Sequence, residues 1–302
     1  MKIRQFDQLL VTSSPKVRGG SGHSSRIIFD SDILNRDPNR LDNFFLQISS
    51  LEEGEFHSPR HRHNFEQYRY MIKGQADYPE GKLTDGVLGY FPEGAYYGPQ
   101  QNITGDIVIV QFGGASGSGF VDRKQMKTAF QELQSKNVGV FKDGTFYRNS
   151  GAEGTQMQDG NEAIFEQIHQ RPMVYPAAQY ATPILMDTNA HPWMPLEGIP
   201  GVAERALGTF SSCKFRAACY KLDAGAKFVA AGRGVYMVLS GKGALESEPY
   251  SAFTSIYLED GEQAAFTASD TTEIILFGLP SMALMGNALT GILSSRPLPQ
   301  VS

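Results

Sequence analysis

"YMIKGQADYPEGKLTDGVLGYFPEG" (70–94) lies over "YMVLSGKGALESEPYSAFTSIYLEDG" (236–261), with Gly74 matched to Gly241 and Gly94 to Gly261 at the same interval. Each stretch reads as short β-branched or aromatic runs broken by glycine and proline turns, the pattern of antiparallel strands. The match extends outward in order. Upstream, "LEEGEF" (51–56) has a counterpart in "LDAGAKF" (222–228); downstream, "IVIVQF" (107–112) resembles "EIILF" (273–277). Four matches in chain order predict two similar strand-rich units in one chain.

Further runs such as "RIIF" (26–29), "FFLQI" (44–48) and "VYMVL" (235–239) extend the reading to antiparallel sandwiches or barrels. Two segments break it. "VDRKQMKTAFQELQSK" (121–136) and "GNEAIFEQIHQR" (160–171) carry apolar residues at helical spacing, and Asp143-Gly144 between them signals a hairpin. The expected order is an N-terminal arm (1–25), a first barrel (26–120), a connector with two helices and a hairpin (121–180) and a second barrel (181–302).

A chain of 302 residues is long enough for two ordinary domains. Its net charge of −5, with no basic stripe, argues against a nucleic-acid partner. "MKIRQFDQLLVTSSP" (1–15) has no apolar run long enough for a signal peptide, and no later stretch approaches a membrane span. Cys213 and Cys219 are too few for a disulfide framework and read as reduced, small hydrophobes, which fits a cytoplasmic address.

Just ahead of the first repeat stands "SPRHRHNFEQYRYMIKG" (58–74), which holds two of the chain's six histidines, separated by one arginine. Residues of equal parity share one face of a strand, so His61 and His63 project together and Gln67, Arg69 and Met71 follow on that face, with Glu66 on the other. Two imidazoles side by side can fill adjacent positions on a metal ion. The other histidines read as rim (His57), mobile glycine-serine arm (His23) or packing residues (His169, His191).

These residues resemble the cupin family. Its first motif is a glycine, a spacer, H-x-H, three or four residues, Glu, six residues and Gly; here stand Gly54, His61, His63, Gln67 and Gly74. Its second motif, P-x-G-x2-H-x3-N, is similar to "PEGAYYGPQQ" (92–101), with Pro92, Gly94, Tyr97 and Gln101. The resemblance implies an all-β double jelly-roll, a bicupin with a short helical connector. It implies metal ligands at His61, His63, Gln67 and Tyr97 for a divalent ion, Fe(II) first, with Mn, Ni or Zn as other choices.

The chain departs from the pattern at two of the four ligand positions, where Gln67 replaces a glutamate and Tyr97 a histidine. Without the carboxylate the centre would hold metal less tightly and favour an anionic ligand. Tyr97 would be a fourth ligand or a proton donor, and a bulge bringing Glu66 inward would restore a carboxylate. Arg69, directed into an apolar barrel, would either bind a substrate carboxylate or pair internally with Asp77 or Glu93. The second copy has Phe228, Ala230, Gly234 and Ala264 at the four positions, none of which binds metal through its side chain.

The function expected from the resemblance is a metal-dependent enzyme, a non-haem iron dioxygenase acting on a small carbonyl or phenolic acid. Tyr97 and Arg69 are its candidate catalytic residues, and its partner is a small anionic substrate. The rival readings are a non-catalytic small-molecule-binding or sensory bicupin that has lost its metal, and a metal-assisted isomerase or lyase. Edge strands leave a homodimer open.

Overall fold

The computed structural model describes residues 1–13, 24–52, 58–117, 120–135, 138–151, 153–154 and 156–281; His23, Gly54 and His57 lie outside them. The chain divides into two compact units, residues 9–113 with 118–187, and residues 1–8 with 114–117 and 188–302.

The first unit is built on an eight-stranded antiparallel sheet. Its order is Ile184–Asp187, Val87–Phe91, Glu66–Tyr78, Gln101–Phe112, Phe44–Leu51, Ser24–Phe29 and Val11–Ser13, with Gly81–Thr84 paired to Glu66–Tyr78. The two longest strands run in register as Gln67 opposite Gln111, Arg69 opposite Ile109 and Met71 opposite Ile107. Up to Met71, strand alternation therefore turns the odd-numbered side chains of both strands to one face, and an irregularity after Met71 brings the even-numbered Ala76 and Tyr78 onto it. Met71, Phe91, Tyr97, Ile103 and Ile107 pack there as a buried cluster.

The helical spacing of the middle segment yields helices Arg123–Ser135 and Gly160–His169, and Asp143-Gly144 turns the hairpin Gly139–Lys142 to Thr145–Arg148. Ala129, Leu133, Phe146, Ile164 and Phe165 bury the helices' apolar faces against this small sheet. These elements belong to the first unit rather than standing as a separate body. No helix among the described residues is long and apolar enough to cross a membrane.

The second unit packs a seven-stranded sheet and a four-stranded sheet around one core. Its interior is filled by Tyr220, Phe228, Tyr236, Tyr250 and Phe266, with Ala230 and Ala264 paired across two strands. The repeat is visible in detail. Gly74 and Gly241 both take positive φ, 115° and 93°, where a Cβ would run into the neighbouring strand at Thr104 or at Thr271 and Thr272.

The N-terminus differs from the expected arm. Lys2–Arg4 is an edge strand of the second unit, in register with Ser255–Tyr257, while Val11–Ser13 is an edge strand of the first. Unpaired edge strands recruit extended chain, and short-range sequence patterns do not show which edge. Likewise Ile184–Asp187, placed by sequence in the second barrel, pairs with Val87–Phe91 of the first unit.

Candidate functional site

The two motifs of the first unit are joined by backbone hydrogen bonds. His61 and Tyr97 exchange both amide bonds (3.0 and 2.9 Å), Gln100 N–H donates to the Ser58 carbonyl (2.9 Å) and Gly94 N–H to that of His63 (2.8 Å). This pairing sets His61 directly opposite Tyr97. The imidazole centroids of His61 and His63 lie 4.9 Å apart at 74°, and the Tyr97 ring lies 4.4 Å from His61. His63 stacks on Phe65 at 4.3 Å. Both histidines are almost wholly buried, at 4% and 6% exposure.

The tautomer of His61 is set by its neighbour. Its Nδ1 lies 2.6 Å from the Pro59 carbonyl oxygen, which can only accept, so Nδ1 carries a proton and, in the neutral ring, Nε2 holds the lone pair. A ring proton donated to a backbone carbonyl is the usual second contact of a metal-binding histidine. The amide nitrogen of Asn161, from the second helix, lies 3.4 Å from His63 Nδ1.

Gln67 and Tyr97 are engaged with Arg69. The Gln67 amide donates to the Tyr97 hydroxyl (2.6 Å), which also accepts from Arg69 Nη2 (3.1 Å). Arg69 Nε donates to the Gln67 carbonyl oxygen (3.2 Å), and Nη1 donates to Tyr78 Oη (2.7 Å) and Gln100 Oε1 (2.6 Å). The guanidinium lies over the Phe91 ring at 4.7 Å. Gly89, directly opposite Arg69, leaves room for that ring; a Cβ there would come within 2.7 Å of it. Burial pushes the Tyr78 phenol up, against the pull of Arg69, so it stays a neutral hydroxyl.

Arg69 is 8% exposed, and no carboxylate of the described residues lies within ion-pair distance of it. Asp77 is taken by Lys82 (3.2 Å) and Asn102 (2.8 Å), which removes it as an internal partner. Glu66 does not turn inward. Its carboxylate accepts from Tyr90 Oη at 2.7 Å on the opposite face, where burial and this carboxylate hold the Tyr90 phenol well above its ordinary value.

Gln101, matched by sequence to the last motif position, is exposed, whereas Gln100 beside it is buried and bonds Arg69. Sequence reasoning missed Gln100, Gln111, Gln47 and Asn161. Strand parity could have found Gln47, opposite Ile109, and Gln111, opposite Gln67 and donating to its carbonyl oxygen at 3.4 Å, since both are odd-numbered like the inward residues of their sheet. Nothing local could have found Asn161, which arrives on a helix from far along the chain. His169 packs on Phe165 at 4.3 Å in the helical layer.

For a metal ion, the two buried imidazoles, 4.9 Å apart between ring centroids, are the side chains that could hold it, His61 through Nε2. Among the described residues no group of three or more His, Cys, Asp or Glu side chains is placed to hold a metal. An ion here would take two ligands from the protein and the rest from an anion or water.

The chain has the all-β, double-cupin fold. No family model matches it, and no curated protein matches it in sequence. Solved structures do. A dioxygenase candidate from Nostoc punctiforme matches with a TM-score of 0.60 at 9% identity, over 93% of this chain and 83% of the other. The bacterial pirin of Escherichia coli, solved with nickel(II), gives 0.51 at 10%, over 93% and 99%. Oxalate decarboxylase from Bacillus subtilis gives 0.51 at 15%, over 93% and 77%.

Proposed function

We propose that this is a metal-dependent cupin enzyme acting on a small organic acid, with His61 and His63 holding a divalent ion and Arg69 anchoring the acid. The observation that carries the reading is the buried imidazole pair, with the His61 ring held through Nδ1 by Pro59 so that Nε2 is its donor atom. The ion supplies Lewis acidity and, when it is iron, an electron for oxygen chemistry. Two neutral imidazoles and no carboxylate leave its full charge uncompensated, so an anion binding with it restores the balance. Arg69 orients that anion by charge-assisted hydrogen bonds.

Tyr97 holds the proton to be moved. Its oxygen accepts from Gln67 and Arg69, which fixes the hydroxyl, and its ring lies against His61. The group is therefore placed to protonate an enolate or alkoxide formed beside the histidines. Gln67 bridges Arg69 and Tyr97, accepting from the first and donating to the second, and would support an ion only indirectly.

The specific reaction we infer is dioxygenation of a small carbonyl or phenolic acid, most simply with iron. It is supported by fold likeness to the Nostoc dioxygenase candidate. Metal content of the purified protein tests the first step. About one ion per chain, lost on joint His61→Ala and His63→Ala substitution, is expected; absence of metal after growth in iron, manganese, nickel and zinc refutes it. Oxygen uptake with candidate acids tests the second.

A rival reading, an acid-binding protein without a resident metal, is favoured by one feature, the departures at Gln67 and Tyr97, both of which bond to Arg69 rather than facing an ion.

A further inference from the structure

Arg69 also lines a cavity of about 70 Å³ in the first unit that none of His61, His63 or Tyr97 lines. Its walls mix polar and apolar side chains. Tyr78 and Gln100 hold the guanidinium, Leu51, Ile103, Ile107 and Ile109 supply apolar surface beside it, and Gln47 and Ser49 lie on the next strand beyond Ile109. All three isoleucines come from the Gln101–Phe112 strand, and Ile109 stands directly opposite Arg69 in register.

A buried cation surrounded only by neutral groups is costly, and such charges are normally paired. Every hydrogen-bond partner of Arg69 is neutral: two amide oxygens and two phenol oxygens. These bonds take four of the five N–H groups a guanidinium offers, leaving one on Nη2. The stack on Phe91 fixes its plane without neutralising it. The fold therefore holds a prepositioned positive charge beside an apolar patch of Leu51, Ile103, Ile107 and Ile109.

We propose that this hollow is a binding site for a short, branched monocarboxylic acid, its carboxylate on Arg69 and its alkyl group against Ile103, Ile107 and Ile109. A water needs roughly 10–15 Å³ measured in the same way, so the space takes about five or six non-hydrogen atoms. That is the size of 2-methylpropanoate. The site shares Arg69 with the function proposed above but does not depend on the metal.

Calorimetric titration of the full-length protein in EDTA tests this, with 2-methylpropanoate and its neutral isostere 2-methylpropanamide as probes. The acid is expected to bind at least tenfold more tightly than the amide. Arg69→Met should weaken the acid at least tenfold. Ile109→Phe, which fills the hollow and leaves the charge in place, should do the same, with thermal unfolding verifying that each variant is folded. If Arg69→Met fails to fold, Ile109→Phe carries the test alone. Equal binding of acid and amide, no binding of the acid, or acid binding that survives Ile109→Phe overturns the proposal. Because metal is excluded, a negative result leaves the histidine site untouched, and a metal-free protein leaves this result untouched.

Discussion

Gln67→Glu would restore the carboxylate of the cupin motif and should move two affinities in opposite directions. The substitution is nearly isosteric at a fully buried position whose Oε1 lies 3.2 Å from Arg69 Nε. A carboxylate there pairs with the guanidinium, and the Tyr97 hydroxyl can turn to donate to it. An acid bound on the far side of Arg69 would sit about 6 Å from the new charge; at an effective dielectric near 20 the repulsion is about 3 kcal/mol. That weakens the acid roughly a hundredfold. A divalent ion between His61 and His63 gains the same anionic charge and should bind at least roughly tenfold more tightly. Titrating wild type and variant with Zn²⁺ and, separately, with 2-methylpropanoate reads both. Loosening of the barrel would weaken both ligands together. Acid affinity within threefold of wild type would refute the assignment of Arg69 as the anchor.

Tyr97→Phe removes the acceptor shared by Gln67 and Arg69 and strands two buried donors. Chemical denaturation should show a loss of about 1–3 kcal/mol, with turnover falling more than substrate affinity if the hydroxyl delivers a proton. Glu66→Gln should leave metal content unchanged, because this buried side chain bonds Tyr90 on the other face of the strand; loss of metal would place Glu66 in the coordination sphere after all. Gly74→Ala combines a positive φ with a methyl group driven into the Thr104 carbonyl, and should cost more than about 3 kcal/mol, seen as lost soluble yield or a collapsed Tm. Burial pushes the Cys219 thiol up to about 12, so it stays protonated and inert at pH 8, and Cys213 is buried as well. Ellman's reagent should find no reactive thiol in the native protein and two in urea.

The sheet face was legible because strand parity is a local rule. Gln67, Arg69 and Met71 share one side and Glu66 the other, as the spacing requires. The approach of the two motifs was legible only through the cupin resemblance, since nothing in residues 58–63 by themselves indicates pairing with 94–100. Two things escaped. The partners of Arg69 are set by three-dimensional packing, and the choice between an internal ion pair and a set of amides and phenols depends on which neighbours happen to converge. Asn161 and the edge strand Lys2–Arg4 depend on long-range chain reversal, which carries no periodic signal.

The edge strand has a consequence for how the chain can be divided. The sheet that begins with Lys2–Arg4 is otherwise made from residues beyond 188, so its first strand leaves the ribosome long before the rest exists. That strand must wait through the synthesis of the whole first barrel before it finds Ser255–Tyr257. A gene cut near residue 188 would produce a carboxyl-terminal fragment with an open sheet edge at Ser255–Leu258, prone to self-association, and a bulky amino-terminal fusion would disturb the barrel most distant from it in sequence.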